Sequence, residues 1–211
     1  MSAVSTAVGR NEPLAPEALK APLFVSLAEK MLAGGRWVVL DLGPAQAATI
    51  GFLNQFRCRL EIADLPVSIE SLNAEADKAQ CRQLAESVLP ACSSEPVDMV
   101  LCWDLLNYLQ RPALTAVMAE IAGRAQPGTL VHALIVYSGK QMPERPGPYY
   151  PVWEADDDAL TSTRLANIRM TSRECEAPRY TPDDLAHCMS DYRIERAKLL
   201  SNGMQEFLFH L

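Results

Sequence analysis

Apolar runs and amphipathic segments alternate along this chain. Three runs are typical of strands buried on both faces of a parallel sheet: Trp37–Leu42, Val97–Trp103 and Thr129–Tyr137. The stretch CRLEIADLP indicates one more strand, which ends near Asp64. Apolar residues recur at helical spacing in three other segments: 22–32, 45–56 and 111–126. Strands and helices in this order predict βαβ units and an α/β, doubly wound, mostly parallel sheet.

The C-terminal part predicts a helix followed by a hairpin. Thr181 is a favourable N-cap residue, Pro182 suits the first helical position, and two acids follow in the first turn. Asn202 and Gly203 then separate two strand-like runs, which is a strong hairpin signal. The last strand is therefore predicted to run antiparallel to its neighbour.

The remaining segments have weaker patterns. Residues 1–13 lack periodicity, and we interpret them as a mobile tail. Residues 14–211 are predicted to form a single domain. Residues 68–89 are helical in composition, and no β-rich run lies between Asp64 and Val97. The proline-rich segment 138–180 is too long for a simple connection, so we interpret it as an insertion over one edge of the sheet.

Composition limits the classes of function. A net charge of −7 and a pI near 5.0 give no electrostatic support to binding of nucleic acid or of an anionic membrane. The 6 cysteines include no CxxC pair and the 3 histidines lie far apart, so we predict no metal site and interpret each histidine as structural. We recognise no signal peptide and no membrane-spanning stretch. We therefore expect a reduced, cytoplasmic protein.

The order of the elements resembles that of the class I S-adenosylmethionine-dependent methyltransferases, whose seven-stranded sheet contains an antiparallel C-terminal strand. The resemblance covers roughly residues 22–211. It depends on the stretches VVLDLGPAQA and VDMVLCWDLLNYL and on the C-terminal part from Tyr180 onwards. It implies a Rossmann-like fold with seven strands, or with six because the third strand of the family is missing from the pattern.

The resemblance also implies a cofactor site for S-adenosylmethionine. In that family an acid and then alternating glycines follow the first strand, and here Asp41, Gly43, Ala45 and Ala47 stand in those places. Each alanine adds a methyl group where the backbone must approach the cofactor closely. A plain strand-to-helix turn therefore remains an open interpretation of this loop.

Two further residues are assigned to the cofactor by the same resemblance. Asp64 stands where the family has its ribose-binding acid, and a carboxylate can accept hydrogen bonds from two vicinal hydroxyls. A solvated acid at a strand end is the alternative for Asp64. Trp103 is placed at the cofactor as well, at the end of the fourth strand of the family. A core or lid aromatic residue is the alternative for Trp103 and for Tyr108.

The resemblance places the acceptor beside the stretch CWDLLNYL. Asp104 is the candidate for orienting an acceptor or taking its proton, with Tyr108 one turn further on. The alternative for Asp104 is an N-cap of the next helical turn. Tyr149, Tyr150 and Trp153 of the insertion are candidates for lining an apolar acceptor pocket.

Two hypotheses for the function follow. The first is methyl transfer from S-adenosylmethionine to a small-molecule or protein acceptor. The second is a catalytically inactive, methyltransferase-like module that binds or regulates, which the two alanines of the loop and the missing third strand favour.

Overall fold

The computed structural model describes residues 17–153, 162–178 and 180–211; the predicted tail at residues 1–13 lies outside them. In chain order the strands are β1 (Glu17–Leu19), β2 (Trp37–Asp41), β3 (Cys58–Ile62), β4 (Val97–Trp103), β5 (Ala125–Val136), β6 (Gln141–Pro143), β7 (Tyr149–Val152), β8 (Arg164–Asn167), β9 (Glu174–Glu176), β10 (Arg193–Leu199) and β11 (Met204–His210). The α-helices are α1 (Pro22–Leu32), α2 (Ala47–Leu53), α3 (Ile69–Ala74), α4 (Lys78–Val88), α5 (Arg111–Ala122) and α6 (Pro182–Cys188). Two short 3-10 helices cover Leu65–Ser68 and Leu105–Tyr108.

The central sheet confirms the predicted topology. It has 6 strands in the order β10-β11-β5-β4-β2-β3. The strands β3, β2, β4 and β5 are parallel, and β11 is antiparallel to both of its neighbours, β5 and β10. Residues 63–96, all of which the structure describes, form helices and loops without a strand, so β3 is the edge strand on that side.

Helices cover both faces of this sheet. Because side chains alternate along a strand, Val100 and Cys102 of β4 point into one apolar cluster, whereas Met99, Leu101 and Trp103 point into the other. The first cluster is completed by α3, α4, α5 and α6, and the second by α1 and α2. The sheet is therefore doubly wound, as predicted.

The helix predicted over residues 111–126 ends earlier, at Ala122, and Pro127 and Gly128 form a bulge within β5. Ala125 already pairs with Val97, and pairing then resumes from Met99 to Leu130. Gly128 has a φ of 93°, a conformation that glycine adopts without steric cost. The extra residues loop out here, and the strand continues beyond them.

The helix predicted over residues 45–56 is shorter in the structure. Gln46 is extended, with φ −118° and ψ 125°, so α2 begins at Ala47. After Leu53 the chain tightens, since the N–H of Phe56 donates to the carbonyl of Leu53 at 3.0 Å. That i to i−3 bond is typical of a helix end.

The segment that we interpret as an insertion contributes β6, β7, β8 and β9 to two small sheets at the carboxyl-end edge of the parallel strands. β7 pairs with β8, and β8 pairs with β1, a strand that the sequence did not predict; β6 pairs with β9. Tyr149 of β7 stacks on Trp103 at the end of β4, and Trp153 packs against Phe52 of α2. The insertion therefore covers the edge at which the candidate site residues lie.

Glu206 ties α1 to the sheet from within the core. Its carboxylate is 0% exposed and accepts hydrogen bonds from the backbone N–H groups of Leu23 at 2.9 Å and Phe24 at 2.8 Å. It also lies 2.9 Å from Nε2 of His132. Ala21 precedes the helix and has no side chain for capping, so Glu206 accepts hydrogen bonds from the backbone N–H groups of the first turn from the distant strand β11.

None of the described helices is long and apolar enough to cross a membrane.

Candidate functional site

The carboxyl ends of β2 and β4 meet at Asp41. This carboxylate is 2% exposed, and its Oδ1 accepts hydrogen bonds from the N–H of Gly43 at 2.8 Å and from Nε1 of Trp103 at 2.6 Å. Burial raises the pKa of Asp41 to about 6, against the opposing effect of these two hydrogen bonds. Oδ1 of Asp41 therefore already accepts two hydrogen bonds from the protein itself.

Trp103 has an uncommon conformation. Its φ is 51°, in the left-handed region that bulky residues rarely adopt, at a cost of roughly 1–2 kcal/mol. The indole is 2% exposed, stacks on Tyr149 with interplanar angle 6° and centroids 6.3 Å apart, and lies 5.8 Å from the ring of Phe24. This packing and the bond to Asp41 keep the strained backbone in place.

The indole of Trp103 lies directly on Gly43. A Cβ atom built on Gly43 would be 3.0 Å from both Cδ1 and Nε1 of the indole. That separation is tighter than ordinary van der Waals contact. A side chain at position 43 would therefore press on the chain's own tryptophan, which would have to shift to admit it.

Ala45, Ala47 and Asp64 were predicted at the cofactor as well. Ala45 and Ala47 are exposed. Asp64 is half-buried with a φ of 47°, and its side chain makes no capping hydrogen bond to any residue that the structure describes. The N–H of Ala63 donates to the carbonyl of Asp41 at 2.9 Å, which holds the Asp64 turn beside the loop.

A cavity of about 540 Å³ lies beyond Trp103, next to Asp104 and Tyr108. Tyr149, Asn167 and Arg169 of the insertion and the strands around it also contribute to its wall. Tyr150 and Trp153 are not among the described residues that line it; Tyr150 is half-buried, and Trp153 packs on α2. The structure thus brings Asp104, Tyr108 and Tyr149 together and places the other two aromatic residues elsewhere.

Asp104 is the most unusual polar group of this cavity. It is 6% exposed, and its Oδ1 has no hydrogen-bond partner in the described part of the chain. Although it precedes the 3-10 helix Leu105–Tyr108, its side chain caps none of the described backbone N–H groups. Burial raises the pKa of Asp104 to about 7. The carboxyl group thus titrates in the neutral range, on the wall of a cavity.

Tyr108 and Asn107 flank this carboxyl group. Burial, and after it the charge of Asp104, raises the pKa of Tyr108 well above its usual range, so the phenol remains neutral. Asn107 donates from Nδ2 to the carbonyls of Asp104 at 2.7 Å and Leu134 at 2.8 Å, and its Oδ1 accepts from the N–H of Val136 at 2.9 Å. Asn107 holds the 3-10 helix against β5. Sequence reasoning missed this role, although an asparagine inside the apolar stretch LLNYL was a visible signal.

Comparison with solved structures identifies the fold. A S-adenosylmethionine-dependent methyltransferase from Clostridium acetobutylicum superposes with a TM-score of 0.50 at 12% identity, covering 91% of this chain and 92% of that one. The PH0226 protein from Pyrococcus horikoshii does so with a TM-score of 0.50 at 12% identity, over 90% of this chain and 86% of that one. By sequence, no protein-family model and no curated protein matches this chain.

This chain therefore has the Rossmann-like fold of the class I methyltransferases, as the resemblance implied, with six strands in its sheet. S-adenosylmethionine is the cofactor of that fold. At 12% identity the likeness establishes the architecture, and the residues of this chain decide what its site accepts.

The residues do not fit S-adenosylmethionine with Trp103 in this position. The cofactor needs an open backbone at the glycine loop. Here Gly43 is covered by the indole, its N–H donates to Asp41, and Pro44 supplies no donor. The indole of Trp103 and the carboxylate of Asp41 thus contact the loop at the glycine that a cofactor would have to approach.

Proposed function

We propose that this chain binds a small organic molecule in the cavity beside Asp104, on a methyltransferase fold whose methyl-donor place is closed by Trp103. The observation that carries the proposal is the contact of the Trp103 indole with Gly43, where a Cβ would be 3.0 Å away. This function corresponds to the catalytically inactive binding module, one of the two hypotheses from the sequence.

The cavity has the features of a ligand site. Its volume of about 540 Å³ lies within the usual range for small-molecule pockets, which is roughly 300–1,000 Å³. Apolar and aromatic side chains, among them Met142, Tyr149 and Met204, form much of its wall. A few polar groups, above all Asp104, stand between them, and such a combination orients a bound molecule.

Titration calorimetry with S-adenosylmethionine and S-adenosylhomocysteine tests the closed donor place. We expect no binding heat and no shift of the melting temperature at millimolar concentrations of either compound. Micromolar binding to the wild-type protein would contradict the proposal. In that case an Asp64→Asn variant with at least tenfold weaker binding would locate the ribose at Asp64.

Methyl transfer to a small-molecule or protein acceptor is the second candidate, and Asp104 favours it. A general base is most effective when its pKa lies near the working pH, and burial raises the pKa of Asp104 to about 7. In this function Asp104 would take the proton of the acceptor, and Tyr108 would line the acceptor's place. This candidate requires Trp103 to leave Gly43, so the titration with S-adenosylmethionine decides between the two.

The Asp104→Asn variant is expected to lose less stability than the wild type when the pH rises from 5 to 8. Because burial raises the folded-state pKa of Asp104 to about 7, the unfolded chain ionises first, and the wild type is destabilised as the pH rises through this range. At about 1.4 kcal/mol per pKa unit, the difference between the two proteins should change by roughly 2–3 kcal/mol. Urea denaturation at both pH values measures it.

The variant comparison isolates Asp104 from its neighbours. Asp41, with its own raised pKa, is present in both proteins and cancels. Tyr108 stays neutral throughout, because burial raises the pKa of its phenol. Equal pH slopes for the two proteins would show that Asp104 is not desolvated as the structure has it.

A further inference from the structure

The charge of the cavity indicates which ligands it accepts. Among the described residues of its wall, only Asp104, Arg169 and Glu174 are charged side chains. Nη2 of Arg169 lies 2.7 Å from Oε1 of Glu174, so these two opposite charges neutralise each other. The remaining charge is that of Asp104, which makes the cavity negative whenever this group is ionised.

Oδ1 of Asp104 is a buried atom of this wall and has no hydrogen-bond partner in the described part of the chain. Oδ1 of Asn167 also has none there, but it lies against Gly147, away from the cavity. A carboxylate only accepts hydrogen bonds, and leaving a buried acceptor unsatisfied costs about 1–3 kcal/mol, more when the group is charged. A cation bound beside Asp104 recovers part of this free energy, because it compensates the charge of the carboxylate.

The aromatic side chains of the wall suit a cation as well. Tyr108 and Tyr149 both line the cavity. The face of a tyrosine ring attracts an ammonium group within about 6 Å of its centroid. Leu19, Met142 and Met204 add apolar surface for the body of the ligand.

We propose that the ligand of this cavity is a small organic amine with an apolar body, whose ammonium group is held by Asp104. The inference rests on the proposed function, that is, on ligand binding in this cavity. The ammonium pairs with the carboxylate of Asp104 and neutralises the charge that the wall leaves uncompensated. The tyrosine rings and apolar side chains surround the rest of the molecule.

Three probes of similar size test the class of ligand: 2-phenylethylamine, 2-phenylethanol and 3-phenylpropanoate. They carry the same ring with a cationic, a neutral or an anionic end. We expect titration by protein-observed NMR at pH 8 to show that the amine binds at least tenfold more tightly than the alcohol. The carboxylate should bind most weakly, because it faces Asp104 with a like charge.

Two variants locate the effect. Asp104→Asn keeps the size of the side chain and removes its charge, so the amine should lose at least tenfold in affinity while the alcohol keeps its own. The control Asp183→Asn makes the same change in the exposed first turn of α6 and should bind all three probes as the wild type does. Retained binding of the alcohol also shows that the Asp104→Asn cavity is folded.

The outcomes separate the two proposals. If the amine and the alcohol bind equally, or the carboxylate binds best, the amine is overturned while ligand binding in the cavity stands. If Asp104→Asn keeps the preference for the amine, the role of Asp104 is overturned. If no probe shifts the resonances of the cavity residues at millimolar concentration, both the amine and the proposed binding function are overturned.

Discussion

Replacing Glu206 with alanine is expected to lower the free energy of unfolding by about 3–5 kcal/mol, the usual cost of removing one partner from a buried, hydrogen-bonded charge. Three donors lose their acceptor at once: the N–H groups of Leu23 and Phe24, and Nε2 of His132. All of them are fully buried or nearly so, and water cannot replace the carboxylate without entering the core. Urea denaturation near pH 7, monitored by circular dichroism, measures the loss.

Exposed charges supply the matched control. Glu95 pairs with Arg36 and Arg59 at the surface, where its side chain is 32% exposed. Glu95→Ala makes the same truncation and should destabilise the protein far less than Glu206→Ala, because water screens an exposed ion pair. Glu206→Gln, which keeps one acceptor oxygen, should fall between the two variants. A Glu206→Ala protein within 1 kcal/mol of the wild type would contradict the assignment of Glu206 as the distant cap of α1.

The elements that the sequence predicted correctly are those with a local cause. β2 and β4 are buried on both faces, which requires the unbroken apolar runs by which they were found. The start of α6 is determined by residues of its own first turn. Oγ1 of Thr181 accepts from the N–H of Asp184 at 3.1 Å, and Asp184 accepts from the N–H of Thr181 at 3.0 Å.

Features that depend on distant pairing could not be predicted in this way. β1 has only three residues, EAL, without a strand pattern, and it forms because it pairs with β8 far along the chain. Glu206 gave one local signal, an acid among the apolar residues of MQEFLFH, but its partners in α1 lie more than 180 positions away. Periodicity reports which face of an element is buried and does not report what it meets there.

The candidate site shows the same division. Asp41, Gly43 and Trp103 were predicted at one place, and the structure brings them into contact. The sequence did not show that the backbone of Trp103 turns to a positive φ and directs the indole onto Gly43. Gly43 was predicted to leave room for a cofactor, and in the structure it leaves room for the side chain of Trp103.

Replacing Trp103 with alanine is expected to have two large effects. It should lower the free energy of unfolding by about 3–5 kcal/mol, because a buried aromatic side chain is lost from a packed cluster. It should also uncover Gly43, so that S-adenosylhomocysteine, which we expect not to bind the wild type, binds the variant at submillimolar concentration. Denaturation and calorimetry of the same preparations measure both.

Two further variants separate the closure from general loosening of the fold. Trp153→Ala truncates the same residue type on the outer side of α2, where Trp153 is half-buried against Phe52, and should leave S-adenosylhomocysteine unbound. Trp103→Phe keeps an aromatic ring at this position and removes the 2.6 Å hydrogen bond to Asp41 together with part of the ring surface. It should cost about 1–3 kcal/mol and still exclude the compound. If S-adenosylhomocysteine binds to Trp103→Ala and to neither of the other two variants, the indole of Trp103 closes the loop. If Trp103→Ala folds and still binds nothing, Ala45, Ala47 and Pro44 are sufficient to exclude the cofactor, since each of them narrows the loop or removes a donor from it.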